Sequence, residues 1–239
     1  MKKLSQLLTA AAIVLPGPVA ASDIRVAPVV LDPLPGARTT SLTLVNAEKQ
    51  PVRVQVRVMK WSARNGADVL EPTTDVVASP PFATLTPQQH YLVRVVRTAK
   101  RAPAGEEAYR VLVDEVLDPT SARPGTVNLV VRQSLPVFFS DIPRRAPNVA
   151  WNLERSTSGA VLVGRNTGTR RLRVADLQVQ ANGQRVAERA GLVGYVLAGS
   201  ELRVPLDARS APPANAGWRI ALTSDGGRLE MPVVAQSAR

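Results

Sequence analysis

The chain has no cysteine in 239 residues. A disulfide framework, a thiol nucleophile and a Cys-ligated metal site are therefore all excluded. There is a single histidine, His90. It rules out a His-rich metal site and leaves Ser–His hydrolysis with one candidate base. Its place beside Tyr91, at the start of a strand-like run, reads as a structural histidine. Aromatics are scarce, with three each of Trp, Tyr and Phe. That leaves little for the stacking platforms on which carbohydrate binders and single-strand nucleic-acid binders rely. No long apolar run exists that would span a membrane, so stable membrane insertion is not expected. No Gly-rich phosphate loop appears. Asp114 and Glu115 are adjacent in a strand-like run, as are Glu106 and Glu107. Neighbours in a strand point to opposite faces, so neither pair makes a catalytic carboxylate couple. No enzyme activity, cofactor or metal is expected.

The charge is one-sided, +11 overall. Arginines carry most of it, at 53, 57, 94, 97, 132, 170, 171 and 173. They are scattered rather than clustered, which argues against nucleic acid and favours an acidic protein partner, a membrane surface or simple solubility. The N-terminus reads as a secretory signal. Lys2 and Lys3 precede a short apolar centre at residues 7–15, and Val19-Ala20-Ala21 offers small residues before a cut near Ser22. Pro16 and Pro18 interrupt the apolar run. An exported chain without cysteine points to a bacterial periplasm.

After residue 21 no long helix pattern is found. Short Val-rich runs recur between turn signals, at 24–31, 40–46, 52–61, 90–97, 107–117 and 126–139. The run VRVQVRV at 52–58 places valine on one face and Arg or Gln on the other. Pro80-Pro81 and Pro87 mark a loop around Phe82. A polar, basic, Pro-bounded stretch at 141–147 reads as a linker. A second series follows at 160–166, 172–179, 192–197, 202–206, 218–222 and 228–234. Asn182-Gly183 and Asp225-Gly226-Gly227 are hairpin turns. This spacing predicts an all-β chain of two immunoglobulin-like sandwiches, residues 22–140 and 148–239.

The most informative stretch is 126–139, TVNLVVRQSLPVFF. Val127, Leu129, Val131, Leu135 and Val137 share one strand face, broken only by Gln133. A long apolar row on a sheet edge is an aggregation hazard unless it is used to pair with another chain.

An export signal, two such domains and a long alternating strand before the linker resemble the periplasmic chaperones of chaperone–usher pilus assembly. Val26-Ala27-Pro28, the run SLTLVN at 41–46, PPFATLTP at 80–87, Val93-Arg94-Val95 and EEAYRV at 106–111 follow that family's order. RQSLPVF at 132–138 is similar to the archaic, spore-coat-U-like branch. The resemblance implies donor-strand complementation, in which the chaperone lends its last first-domain strand to an incomplete pilus subunit. It implies Val127, Leu129 and Val131 as pocket-filling residues. Leu135 belongs to the same row, although Leu135 and Val137 also suit the chaperone's own core. The family's carboxylate anchors fall at Val30 and Pro136, neither of which offers a charge. Arg132, on the same face as Pro136, is then the expected anchor, with Arg25 second. Arg94 and Asp225 match members of an interdomain charge network, Asp225 serving equally as a turn former. The network's other arginine falls at Ser140, with Arg144 or Arg145 as substitutes. The implied partners are pilus subunits and an outer-membrane usher. Self-association of the free form is left open. The rival reading is an exported immunoglobulin-like adhesion or carbohydrate-binding protein.

Overall fold

A computed structural model describes residues 24–116, 130–143, 145–156, 159–206 and 216–236. The signal segment and residues Val127 and Leu129 lie outside the described residues. Every regular element among those described is a strand. They build two sandwiches, each with its own apolar core.

In the first, β1 (Ile24–Ala27), β2 (Thr39–Asn46), β7 (His90–Arg97) and β5 (Val76–Ser79) form one sheet in the order β1-β2-β7-β5. The facing sheet runs β4-β3-β8-β9, from β4 (Ala67–Pro72), β3 (Val52–Arg64), β8 (Glu106–Glu115) and β9 (Arg132–Ser140). A short strand, β6 (Phe82–Leu85), pairs with the start of β3. Period-two alternation explains the layering. Val52, Val54, Val56 and Val58 are buried, and they meet Leu42, Leu44, Val93 and Val95 from the other sheet.

The second sandwich has one sheet in the order β14-β11-β10-β17, made of β10 (Val149–Ser156), β11 (Gly159–Asn166), β14 (Glu201–Leu206) and β17 (Val234–Gln236). The other is β13-β12-β15-β16, made of β12 (Leu172–Ala181), β13 (Gln184–Val196), β15 (Trp218–Ser224) and β16 (Gly227–Pro232). Both domains end a central strand on a buried asparagine. The Asn46 amide donates to the carbonyls of Gln50 and Leu85, and the Asn166 amide donates to those of Arg170 and Val196. Each side-chain oxygen also accepts a backbone N–H two residues on, so the loop folds back on its own asparagine.

The structure corrects the sequence reading at several short strands. Residues 82–85 are a strand rather than a loop, held because the Pro81 carbonyl accepts the Val56 amide beside the β3–β6 pairing. β4, β5 and β10 also go beyond the expected runs. β4 returns from β3 through Asn65-Gly66, both with positive φ (53° and 77°), a two-residue turn of the kind that Asn-Gly favours.

Leu44 is fully buried at the centre of the first core. Leu44→Ala should lower stability by about 2–5 kcal/mol, read as a shift in the urea midpoint at unchanged slope. A loss well under 1 kcal/mol would contradict this packing.

Candidate functional site

β9 is the last strand of its sheet and pairs with β8 from Glu106↔Ser140 to Asp114↔Arg132. In an antiparallel ladder, alternate residues turn their backbone groups away from the partner. On β9 these are the even-numbered ones. The Pro136 carbonyl accepts the Leu31 amide at 3.0 Å, the Phe138 amide donates to the Leu31 carbonyl at 2.9 Å, and the Ser140 carbonyl accepts the Gly36 amide at 2.8 Å. The segment between β1 and β2 therefore covers the far half of the edge. Arg132 and Ser134 carry no such backbone partner, so among the described residues the near half of the edge is open.

Side chains on β9 divide the same way. Leu135, Val137 and Phe139 lie in the domain's own core. Leu135 is 4% exposed, which removes it from the pocket-filling row: it is already buried among its own neighbours. Val131 lies one residue beyond the paired strand and is half-buried, and Val130 is exposed. Gln133, the break in the row, donates its side-chain amide to the Ile24 carbonyl and ties β9 to the edge strand of the other sheet.

Neither expected anchor stands in the cleft as a ready cation. Arg132 is bonded through Nε to Asp114, which also takes Arg57 at 2.6 Å. Burial alone would raise the Asp114 carboxyl, but hydrogen bonds from Arg132 and Arg57 hold it below the usual range. Arg25 is exposed, next to buried Ile24 on β1, so its side chain lies on the outer face of the other sheet.

A cation on the same face as Pro136 is Arg110. It sits directly across from Pro136 in the β8–β9 register, on the sheet face that looks toward the second domain. Its side chain is 16% exposed and its guanidinium lies 3.8 Å from the centre of the Trp61 ring. The nearest carboxylate, the more exposed Asp68, is 3.7 Å away, beyond hydrogen-bond distance. Burial lowers the Arg110 pKa, and Asp68 restores only part of it. Sequence reasoning quoted Arg110 as part of a strand motif and gave it no role.

The two domains are joined around Arg171. Its side chain is 1% exposed and reaches Glu106 at 2.5 Å, Asp32 at 3.0 Å and Asp225 at 3.4 Å, while its guanidinium stacks 3.5 Å from the Phe138 ring centre. The Glu106 amide donates to the Thr169 carbonyl across the joint. Beside it, Trp61, Ala108, Phe138 and Val30 of the first domain pack on Tyr195 and Leu197 of the second. Asp225 thus belongs to the interdomain network as well as to its turn. Arg94 does not. It is exposed on β7, opposite Ser41 and Ser79, on the face away from the core. Arg144 lies outside the described residues, and Arg145 makes no ion pair among them. The arginine that sequence reasoning sought is Arg171, 65 residues from Glu106 and with no local spacing to mark it.

Glu106 and Glu107 do point opposite ways. Glu106 serves the joint, while Glu107 turns inward to Arg97 at 3.0 Å, Arg101 at 2.6 Å and the Tyr109 hydroxyl at 2.8 Å. Burial would raise its carboxyl, but the bonds from Arg97, Tyr109 and Arg101 outweigh that and pull it down to about 2. The same burial pushes the Tyr109 phenol up. No group of three metal-ligating side chains is found among the described residues.

Residues 24–142 match the family described as "Pili and flagellar-assembly chaperone, PapD N-terminal domain". None of the curated proteins matches the sequence. Among solved structures, a chain of the CsuC–CsuE chaperone–tip adhesion subunit pre-assembly complex, from archaic chaperone-usher Csu pili of Acinetobacter baumannii, superimposes with a TM-score of 0.70 at 20% identity. The match covers 91% of this chain and 100% of that one. The E. coli chaperone DraB gives 0.62 at 21% identity, covering 90% and 97%. A chain of the Salmonella enterica SafA pilin–SafB chaperone complex gives 0.63 at 16%, covering 89% and 97%. At these identities the likeness establishes the two-domain fold.

The Glu107 cluster makes a pH prediction. The folded carboxyl lies below its ordinary 4.5, at about 2. Its contribution is therefore full above pH 4.5 and is lost as pH falls through about 2. Wild type should lose roughly 3 kcal/mol over that window, at 1.36 kcal/mol per pK unit. Glu107→Gln should remove that part of the slope and be less stable at neutral pH. Urea unfolding across the window checks it, and an unchanged slope in the variant would refute it.

Proposed function

Residues 24–142 form a domain of the pili and flagellar-assembly chaperone family, and from that premise we propose that this chain is a periplasmic chaperone that holds pilus subunits by strand addition and passes them to an outer-membrane usher. The observation that carries the reading is the half-edge of β9 left without a backbone partner among the described residues, continuous in sequence with the apolar alternation of Val127, Leu129 and Val131. An incomplete immunoglobulin-like subunit has a groove and an unpaired strand. The edge at Arg132 and Ser134 offers backbone bonds. Val127, Leu129 and Val131 offer side chains at every second position for the groove's pockets. Each such residue, once buried, contributes on the order of 1.5–3 kcal/mol before ordering losses. The RQSLPVF run and the likeness to a chain of an archaic-system complex support the archaic branch.

In this reading Arg110 replaces Arg132 as the anchor for the subunit's terminal carboxylate. It lies beside Pro136, in the cleft, and lacks a hydrogen-bonded counter-charge among the described residues. A carboxylate there would supply what burial has taken from it.

The rival reading, a carbohydrate-binding adhesion protein, is weakened by where the aromatics sit. All three Trp, both Phe of β9, Tyr109 and Tyr195 are buried, which leaves Phe82 and half-buried Tyr91. Two isolated rings do not make a sugar platform.

Co-expression with candidate pilins tests the donor row. Leu129→Glu places a charge where an apolar pocket is expected. The variant should fold and be exported yet yield no soluble one-to-one complex. A normal complex would show that the row is not the donor.

For the anchor, Arg110→Ala should weaken subunit capture by about tenfold or more, since bonds to charged groups are each worth about 1.5–3 kcal/mol. Arg110→Lys should recover part of it. A subunit whose C-terminus is extended by a few residues should lose affinity for wild type but show no further loss with Arg110→Ala. Equal capture by wild type and Arg110→Ala would exclude the role.

A further inference from the structure

A cavity of about 380 Å³ lies at the joint, on the β3 side and away from the open edge. The first domain contributes Lys60, Trp61, Ser62 and Arg101 to its walls, and the second contributes the turn at Gly199 and Ser200. We propose that this cavity binds a small tetrahedral oxyanion, of the phosphate or sulfate class, held by Lys60 and the turn amides, and that its occupancy stiffens the joint between the domains. The inference goes beyond subunit capture and needs no subunit to be tested.

Lys60 is the reason. Its ammonium sits 4.3 Å above the centre of the Tyr109 ring, and it makes no ion pair or hydrogen bond among the described residues. A half-buried cation without a paired counter-charge is unfavourable. Its pKa is lowered, chiefly by burial, and the fields of Glu107 and Asp75 offset this only in part. The two carboxylates on the cavity wall are committed elsewhere. Glu107 is taken by Arg97, Arg101 and Tyr109, and Glu106 by Arg171. With those pairs neutralised, the charge left facing the cavity is positive.

The opposite wall is suited to an anion. Ser200 closes the turn through its amide and hydroxyl, both donating to the Leu197 carbonyl. The amides of Ala198 and Gly199 carry no bond among the described residues, and nothing lies within 4 Å of where a Cβ on Gly199 would stand. Successive free amides in a tight turn with positive φ form an anion-binding concavity; Gly199 has φ 67°. The wall also includes Trp61, whose buried indole N–H has no acceptor. A ligand touching Lys60 on one side and this turn on the other would bridge the domains.

The test uses the mature protein alone. Calorimetric titration with sodium phosphate and with sodium sulfate, at ionic strength matched by chloride, should give saturable one-site binding. Lys60→Met should weaken it tenfold or more, and Lys60→Arg should retain most of it. General stabilisation by these salts would act on wild type and variant alike, so it does not mimic this result. If Lys60→Met does not fold, wild type supplies the answer: phosphate should slow acetylation of Lys60 while leaving exposed Lys49 and Lys100 unchanged. Hydrogen exchange at the Glu106 amide, which bonds Thr169 across the joint, should slow on binding. Absence of saturable binding, equal binding by Lys60→Met, or unprotected Lys60 at high phosphate would each overturn the proposal.

Discussion

The joint between the two domains depends on how Arg171 is buried. One guanidinium, stacked on Phe138 and almost without solvent, draws Glu106 and Asp32 of the first domain and Asp225 of the second to itself. Removing Arg171 would leave buried Glu106 uncompensated, a loss of about 3–5 kcal/mol. Two sandwiches on a short connector would otherwise sample a range of angles. Here an ionic cluster and an aromatic one, Trp61–Phe138–Tyr195, are set side by side, with the Trp61 and Tyr195 rings edge to face at 5.5 Å. The aromatic cluster supplies area without direction. The ionic cluster supplies direction, because its carboxylates come from separate segments that must all arrive together.

That rigidity shapes the cleft. Phe138 and Trp61 face the second domain from the same sheet surface as Pro136 and Arg110, so holding one pair fixes the other. Arg110 stacks on Trp61 and is stripped of most of its water, with exposed Asp68 at 3.7 Å as its ion-pair partner. Arg132, by contrast, shares Asp114 with Arg57 and lies at the open edge, where its charge is already answered. The two arginines are chemically alike, and their neighbours give them different surroundings.

Much of the architecture was legible from period-two alternation, because β3 and β7 each present one face to a core. The turns at Asn182-Gly183 and Asp225-Gly226 were legible from residue chemistry alone. What escaped were short or exposed strands. β4 is almost wholly exposed and shows no apolar row, and β6 begins one residue after two prolines. The charge network escaped for another reason. Arg94 lies in a well-marked strand and looked like a motif residue, whereas Arg171 lies between strands with no pattern around it. Its partners stand 54, 65 and 139 positions away. Alternation reports which face a residue is on, not which distant segment will meet it. The same limit applied to Leu135, whose place in the row was clear while the end of the domain's own core was not.

That end is marked by Gln133. Along one face, Phe139, Val137 and Leu135 are buried in the home core. The next position is glutamine, and its amide bonds the Ile24 carbonyl on the edge strand of the opposite sheet. An apolar residue there would extend the home core by one step and leave that edge carbonyl without this donor. A polar residue instead closes the mouth of the sandwich, at the position where β9 loses its outer cover and nears the last pair with β8. The interruption that looked like a flaw in the apolar row is thus, among the described residues, the point where this face of the strand leaves the home core.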